Sequence, residues 1–243
     1  MGKEFETRLD AVVDATPAQV WEAIATGPGV SSWFVGRTEI DGDTVRTAFG
    51  DDWIAPSRVT TRDEPHHFAH RSDTAPDGRF IAYEYLVEGR GNAATVLRTV
   101  TSGFLPGDEW AAEYEAMQYG TELFFHTLLE YLRYFPGATA TPVTAFGPPI
   151  SDWPAAWQRL HAALGLDPAP RAGDPVQAEL PDLPAIEGEV YFTNPHTLGI
   201  RTPDALYRFI RGLRGGMVAG HELFTPGPPP TQAWTGFLTA LYS

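Results

Sequence analysis

The sequence predicts an α+β protein in which an antiparallel sheet packs against one long helix. The first observation is a helical pattern over residues 108–134, where large apolar side chains recur along one stripe. The second is the preceding series of short alternating segments, which are separated by turn residues such as Asp41-Gly42. At ~1.5 Å per residue the helix is about 40 Å long. A helix of that length needs a large apolar partner, and the strand-rich stretch supplies one.

The elements follow a simple order along the first half of the chain. Residues 4–14 alternate in polarity and predict a strand, after which Thr16 and Gln19 predict a helix start with a capping box. Six antiparallel strands are predicted between residues 38 and 101, and the long helix follows them. Asp108 is the predicted N-cap of that helix.

Composition limits the classes of function. The chain has 243 residues, 43% hydrophobic and 20% charged, which is typical of a globular protein. Its net charge of −14 argues against nucleic acid and anionic membranes as partners, because phosphates are repelled. Without cysteine it has no disulfide, thiolate nucleophile or cysteine-bound zinc. The N-terminus lacks a signal-peptide core and no apolar run spans a bilayer, so we expect a soluble, cytoplasmic protein.

The second half of the chain has a separate pattern. Residues 139–150 are turn-rich and predict a linker, a short helix is predicted over 152–164, and loops follow to residue 188. Four strands are then predicted up to residue 224; the third is also compatible with a helix, but short spacing favours a strand. Thr231 is the predicted N-cap of a final helix. We therefore divide the chain into a domain over 1–138 and a smaller α+β unit over 139–243.

Three segments carry a family resemblance: ATPAQVWEAIATGPGVSSWF (15–34), SRVTTRDEPHHFAH (57–70) and LRTVTSGF (97–104), followed by the long helix. Together they resemble the SRPBCC or START-like superfamily, and within it the Hsp90 ATPase activator homology group. The resemblance covers about residues 3–135. It implies a helix-grip fold, in which a curved seven-stranded antiparallel sheet surrounds the C-terminal helix and leaves a cavity between them. The tail resembles that of two-part members, which suggests a second, truncated helix-grip-like unit.

Motifs for metal or nucleotide chemistry are weak. The densest histidine group is His66, His67 and His70; on an extended strand His66 and His70 share one face and His67 the other, which disfavours a three-ligand metal site. The chain has no G-x-S-x-G motif, and its glycine turns lack phosphate-loop spacing. We therefore expect no cofactor, no metal and no catalytic constellation.

The leading functional hypothesis is a binding module for a small hydrophobic or amphipathic ligand held between sheet and helix. Tyrosines suit such a site, since each combines an apolar face with one hydrogen-bonding end. Arg98 faces either the cavity, where it needs a carboxylate or an anionic ligand, or solvent. The candidate ligand-binding residues are Trp53, Tyr83, Tyr85, Arg98, Trp110, Tyr114, Met117 and Phe124.

Two alternatives stay open. Some superfamily members are polyketide cyclases or aromatases, and in such an enzyme Tyr83, His70 and Arg98 are the candidates for proton transfer. The other alternative is a protein-interaction role similar to Hsp90 activation, or a homodimer. The acidic face of the long helix is the candidate docking surface for a basic partner.

Overall fold

The structure is a computed structural model that describes residues 2–90, 94–107 and 110–243. The chain divides into two compact units, unit 1 over Met1–Thr139 and unit 2 over Ala140–Ser243. The predicted helix cap at Asp108 lies outside the described residues. None of the described helices combines the length and apolarity that crossing a bilayer requires.

Unit 1 is an antiparallel sheet with three helices. The strands are β1 (Lys3–Val13), β2 (Thr38–Asp41), β3 (Thr44–Phe49), β4 (Asp52–Trp53), β5 (Ser57–Asp63), β6 (His67–Ser72), β7 (Phe80–Arg90) and β8 (Ala94–Leu105). Seven of them pair in the order β1-β8-β7-β6-β5-β3-β2, and β4 pairs with β3. The helices are α1 (Pro17–Ala25), α2 (Gly27–Val30) and α3 (Trp110–Tyr134). The predicted α+β class and helix-grip element order are confirmed.

The start of α1 follows the predicted capping box. The Thr16 hydroxyl accepts from the Gln19 backbone N–H at 3.3 Å, and Gln19 Oε1 accepts from the Thr16 N–H at 2.9 Å. Two otherwise unpaired donors of the helix terminus are thereby satisfied.

Substituting this cap is expected to cost measurable stability. Thr16→Ala should lower the free energy of unfolding by about 1 kcal/mol, because the N3 amide loses its acceptor. Urea denaturation followed by tryptophan fluorescence measures the change. Thr60→Ala, at an exposed threonine in β5, is the control. An equal loss in both variants would contradict a capping role.

The two halves of α3 are packed differently. Its C-terminal half is tightly buried: Leu128, Tyr131 and Leu132 are at most 2% exposed. Tyr131 also donates to the Ala138 carbonyl at 2.9 Å, which ties down the chain after the helix. From the start of the helix to just past its middle the stripe residues stay partly accessible; they are Trp110, Tyr114, Met117, Thr121 and Phe124. The stripe of α3 is therefore less completely buried along its first turns than along its last ones.

Unit 2 is a second antiparallel sheet with two helices. Its elements are β9 (Thr141–Pro149), α4 (Trp153–Ala163), β10 (Pro175–Ala178), β11 (Ile186–Asn194), β12 (Thr197–Arg201), β13 (Ala205–Arg211), β14 (Gly216–Leu223) and α5 (Thr231–Tyr242). The strands pair in the order β10-β11-β12-β13-β14-β9. One core joins α4 and α5 to the sheet through residues such as Leu160, Phe209 and Trp234. The smaller α+β unit is confirmed; that it is a shortened repeat of unit 1 stays a prediction.

Three sequence expectations for unit 2 were wrong. The segment predicted as a linker forms edge strand β9, because Val143 and Ala145 alternate into the core while prolines occupy an edge that tolerates them. Part of the predicted loop before residue 188 forms the short strand β10. Thr231 is the first residue of α5, and its N-cap is Pro230, which makes no side-chain cap bond. By contrast, the third predicted strand, for which a helix was the alternative, is confirmed as β13.

Candidate binding site

A cluster of aromatic side chains lies between the middle of the unit 1 sheet and α3. Phe68 and His70 on β6 lie beside Tyr85 and Tyr83 on β7, because the register pairs Phe68 with Tyr85 and His70 with Tyr83. Phe34, which follows α2, reaches both Tyr83 (5.7 Å between ring centroids) and Phe124 of α3 (4.9 Å). Sheet, α3 and the segment after α2 therefore meet at one set of rings, which we call the ring cluster.

One end of the ring cluster is sealed by tryptophans from the first helices. Trp21 of α1 packs edge-on against Phe68 at 5.9 Å, and Trp33 packs edge-on against Tyr85 at 6.3 Å. Trp33 also donates from Nε1 to the Ala23 carbonyl at 2.8 Å, which satisfies its buried polar atom. This end of the interior is core.

His70 and Tyr83 form the polar part of the cluster. Their rings stack, with centroids 5.1 Å apart and planes at 27°. Burial lowers the pKa of His70 to about 4 and raises the pKa of Tyr83 to about 12, because both charged forms lose hydration. Both side chains are thus neutral at pH 7. The Nδ1 atom of His70 is buried and has no hydrogen-bond partner among the described residues.

His70 and Tyr83 are not completely covered by their neighbours. Loss of hydration lowers the pKa of His70 and raises the pKa of Tyr83, as it does for deeply buried groups. Each of the two residues nevertheless keeps some accessible surface. Both observations hold if this surface faces an interior recess instead of bulk water. Ile81, two residues before Tyr83 on the same face, and Phe124, which packs on Phe34, are also only partly covered. Tyr85, next along β7, is buried and its pKa is raised by burial.

The other end of the unit 1 interior, at the start of α3, carries charged residues that have partners. Arg79, just before β7, forms an ion pair with Glu113 of α3. Lys3 lies 4.5 Å from the centre of the Trp110 ring, and Tyr114 packs edge-on against Phe5 of β1 at 5.9 Å. These contacts hold the first turns of α3 over β1 and over the start of β7.

The structure brings three of the eight predicted binding residues together. Tyr83, Tyr85 and Phe124 belong to the ring cluster. Trp110 and Tyr114 lie at the β1 end of α3, and Met117 is partly buried between these two groups along the helix.

The other two predicted residues, Trp53 and Arg98, lie outside the ring cluster. Trp53 is 46% exposed on β4, where the Arg37 guanidinium lies 5.3 Å from its ring centre. Arg98 is exposed on the outer face of the sheet, because it pairs with Asp10 of β1 and Leu86 of β7, whose side chains alternate away from the interior. It lines a shallow outer recess of about 140 Å³ with His66 and Glu88. A solvated Arg98 was one of the two open alternatives.

Sequence reasoning missed several members of the ring cluster. Phe34, Phe68, Trp21 and Trp33 were not among the candidates, although Phe68 lies two residues before His70 and so shares its face. The expectation that His66 and His70 share a face was wrong, since His66 belongs to the turn before β6 and lines the outer recess. Across the described part of the chain no group of three or more possible ligands is arranged to hold a metal ion.

Unit 2 contains a second buried polar cluster, formed by β13 and β14. Arg208 donates from Nε to the Gly220 carbonyl at 2.6 Å and forms an ion pair with Glu222; their side chains are 1% and 0% exposed. Burial raises the pKa of Glu222 to about 8, with Arg208 acting in the opposite direction. Glu222 Oε2 has no hydrogen-bond partner within the described ranges. On the core side, His221 packs against Trp234 at 4.1 Å.

Comparison with known proteins was made for sequence and for structure. No protein-family model and no curated protein matches the sequence. Solved structures do match. The di-domain ARO/CYC BexL from the BE-7585A biosynthetic pathway is 11% identical, covers 98% of this chain and 99% of its own, and has a TM-score of 0.46. DynU16, a protein in the dynemicin biosynthetic locus, is 20% identical and covers 97% of both chains, with a TM-score of 0.43.

A third match covers about half of this chain. The Aha1 dimer from Colwellia psychrerythraea is 17% identical, covers 55% of this chain and 99% of its own, and has a TM-score of 0.44. Unit 1 itself has the seven-stranded antiparallel sheet and long final helix that the sequence resemblance implied. Unit 1 therefore has a helix-grip arrangement of sheet and long final helix. Likeness at this level says nothing about ligand or reaction.

Proposed function

We propose that unit 1 binds a small hydrophobic or amphipathic molecule in the recess between β6, β7 and α3. The observation that carries this proposal is the buried, unpaired Nδ1 of His70 beside Tyr83 in an otherwise aromatic interior. A buried polar atom without a partner costs about 1–3 kcal/mol. A ligand that supplies the missing hydrogen bond recovers that free energy on binding.

The surroundings of this pair suit recognition of a flat or aliphatic ligand. Phe34 and Phe124 offer apolar ring surface on the helix side, and Tyr83 offers a hydroxyl on the sheet side. Apolar pockets with few convergent polar groups are typical of small-molecule sites. The apolar rings supply affinity, and His70 and Tyr83 fix the orientation of the ligand.

Removing the Tyr83 hydroxyl tests the role of the polar pair. Tyr83→Phe should weaken binding of an oxygen-bearing ligand about 3- to 20-fold, which corresponds to about one hydrogen bond. Isothermal titration calorimetry with a ligand recovered from the protein measures the change. Tyr134→Phe, at a residue 41% exposed near the end of α3, is the matched control. Unchanged affinity in Tyr83→Phe would remove this tyrosine from the site.

A second candidate function is favoured by the stacking of His70 on Tyr83. These two groups, both among the candidates for a cyclase-like enzyme, lie in contact, whereas Arg98 lies on the outer face. A neutral imidazole beside a phenol can relay a proton to a reactive chain that the recess holds folded. Product formation from a cyclisable polyketide-like substrate, lost in His70→Leu and Tyr83→Phe, would establish this activity. Binding of such substrates without turnover would contradict the enzyme hypothesis and leave the binding function as the proposal.

A further inference from the structure

The inner face of the unit 1 sheet carries a row of polar side chains without formal charge. Thr7, Thr101, Tyr83 and His70 lie directly opposite one another on β1, β8, β7 and β6. The register therefore aligns hydroxyl and imidazole groups across four neighbouring strands. We call this set the neutral row.

Charged residues of the same strands lie on the opposite face. Strand alternation directs residues of the other parity outward, and the charged side chains of these strands occupy those positions with the exception of Lys3. Lys3 has the inner parity, but it lies at the start of β1 against the Trp110 ring, four residues from Thr7 of the neutral row. Charges that approach the interior at its ends have partners: Arg79 pairs with Glu113, and Arg62 donates to the Gly42 carbonyl at 2.9 Å beside the Phe68 ring. The outward charged residues of the four strands include Glu4, Glu6, Arg8, Asp10, Glu84 and Arg98.

We propose that the recess selects uncharged, oxygen-bearing ligands and discriminates against carboxylates, with the neutral row as its hydrogen-bonding edge. This inference rests on the proposed binding function. An ion entering the recess would lose its hydration and meet no opposite charge on the neutral row, and such desolvation is costly. A carbonyl or hydroxyl oxygen loses much less and gains the donors and acceptors of Thr101, Tyr83 and His70.

Three naphthalene ligands that differ in one substituent test this selectivity. They are 2-naphthol, methyl 2-naphthoate and 2-naphthoate, titrated calorimetrically against the full chain at pH 7. The alcohol and the ester should bind at least ~10-fold more tightly than the carboxylate, although the ester and the carboxylate share ring and carbonyl. Thr101→Val, which keeps the shape and removes the hydroxyl, should weaken the alcohol and the ester by about 3-fold or more.

The variant Arg98→Ala distinguishes carboxylate binding in the outer recess from carboxylate binding between the sheet and α3. Carboxylate binding that disappears in Arg98→Ala occurs at the outer recess and leaves the inference supported. Carboxylate binding as tight as that of the ester, and unaffected by Arg98→Ala, would overturn the selectivity while the binding function stands. If none of the three ligands binds, the proposed function fails and the selectivity fails with it.

Discussion

Ile81→Trp is expected to weaken ligand binding by about 100-fold, which corresponds to about 2.7 kcal/mol. Ile81 is an inner-face residue of β7, two positions from Tyr83, and keeps part of its surface accessible. An indole at this position projects into the recess and occupies volume that the ligand needs. The affinity of the variant for 2-naphthol or for a recovered ligand, measured by calorimetry, tests the expectation.

The neighbouring residue provides the matched control. Ala82→Trp adds an indole on the outer face, since Ala82 pairs with Arg71 and Ser102 on the side away from α3. This variant should bind ligand like the wild-type protein. Unfolding in urea should show that both variants fold, because Ile81 and Ala82 both keep part of their surface accessible. Unchanged affinity in folded Ile81→Trp would place the ligand elsewhere.

At pH 9, where the Glu222 carboxyl is ionised, Arg208→Ala is expected to lower the free energy of unfolding by about 3–5 kcal/mol, because it leaves this carboxylate buried without its cation. Urea denaturation of the full chain measures this loss. The double variant Arg208→Met with Glu222→Leu should recover most of it, since well-packed apolar residues replace a buried ion pair at little cost. A loss below about 1 kcal/mol in Arg208→Ala would show that the pair is hydrated in solution.

The same pair predicts a pH dependence of stability. Burial raises the pKa of Glu222 from 4.5 to about 8, so between these values the folded chain binds more protons than the unfolded chain. Stability should therefore fall as pH rises through this window. His70 and His221 act in the opposite direction below pH 6.5, because burial lowers their pKa. The difference between wild type and Glu222→Gln isolates the carboxyl. A difference that is constant from pH 5 to 8 would contradict the raised pKa.

The sequence predicts the elements of unit 1 well because local signals agree there. The stripe on α3 and the Thr16–Gln19 capping box depend on neighbours within a few residues, and the structure reproduces both. The β9 strand was missed because its prolines read as turns, and only the pairing with β14 shows that they occupy a sheet edge.

The candidate site was harder to predict, because it depends on which face of each strand is the inner one. Both faces of β8 carry β-branched residues: Val96 and Val100 flank Arg98 on the outer face, while Thr99 and Thr101 line the inner face. Alternation alone therefore could not predict on which face of the sheet the Arg98 side chain lies. The partnership of His70 with Tyr83, and of Arg208 with Glu222, depends on strand register across hairpins, which the sequence does not encode locally.

The most direct test of a ligand site in unit 1 is native mass spectrometry of the full chain purified from its source organism. The wild-type protein and Ile81→Trp are compared, each before and after denaturation. Ligand binding in the recess predicts an added mass on the native wild-type protein, lost on denaturation and absent from Ile81→Trp. An added mass of equal abundance on both proteins, or none on the wild type together with no binding of the naphthalene ligands, would contradict it.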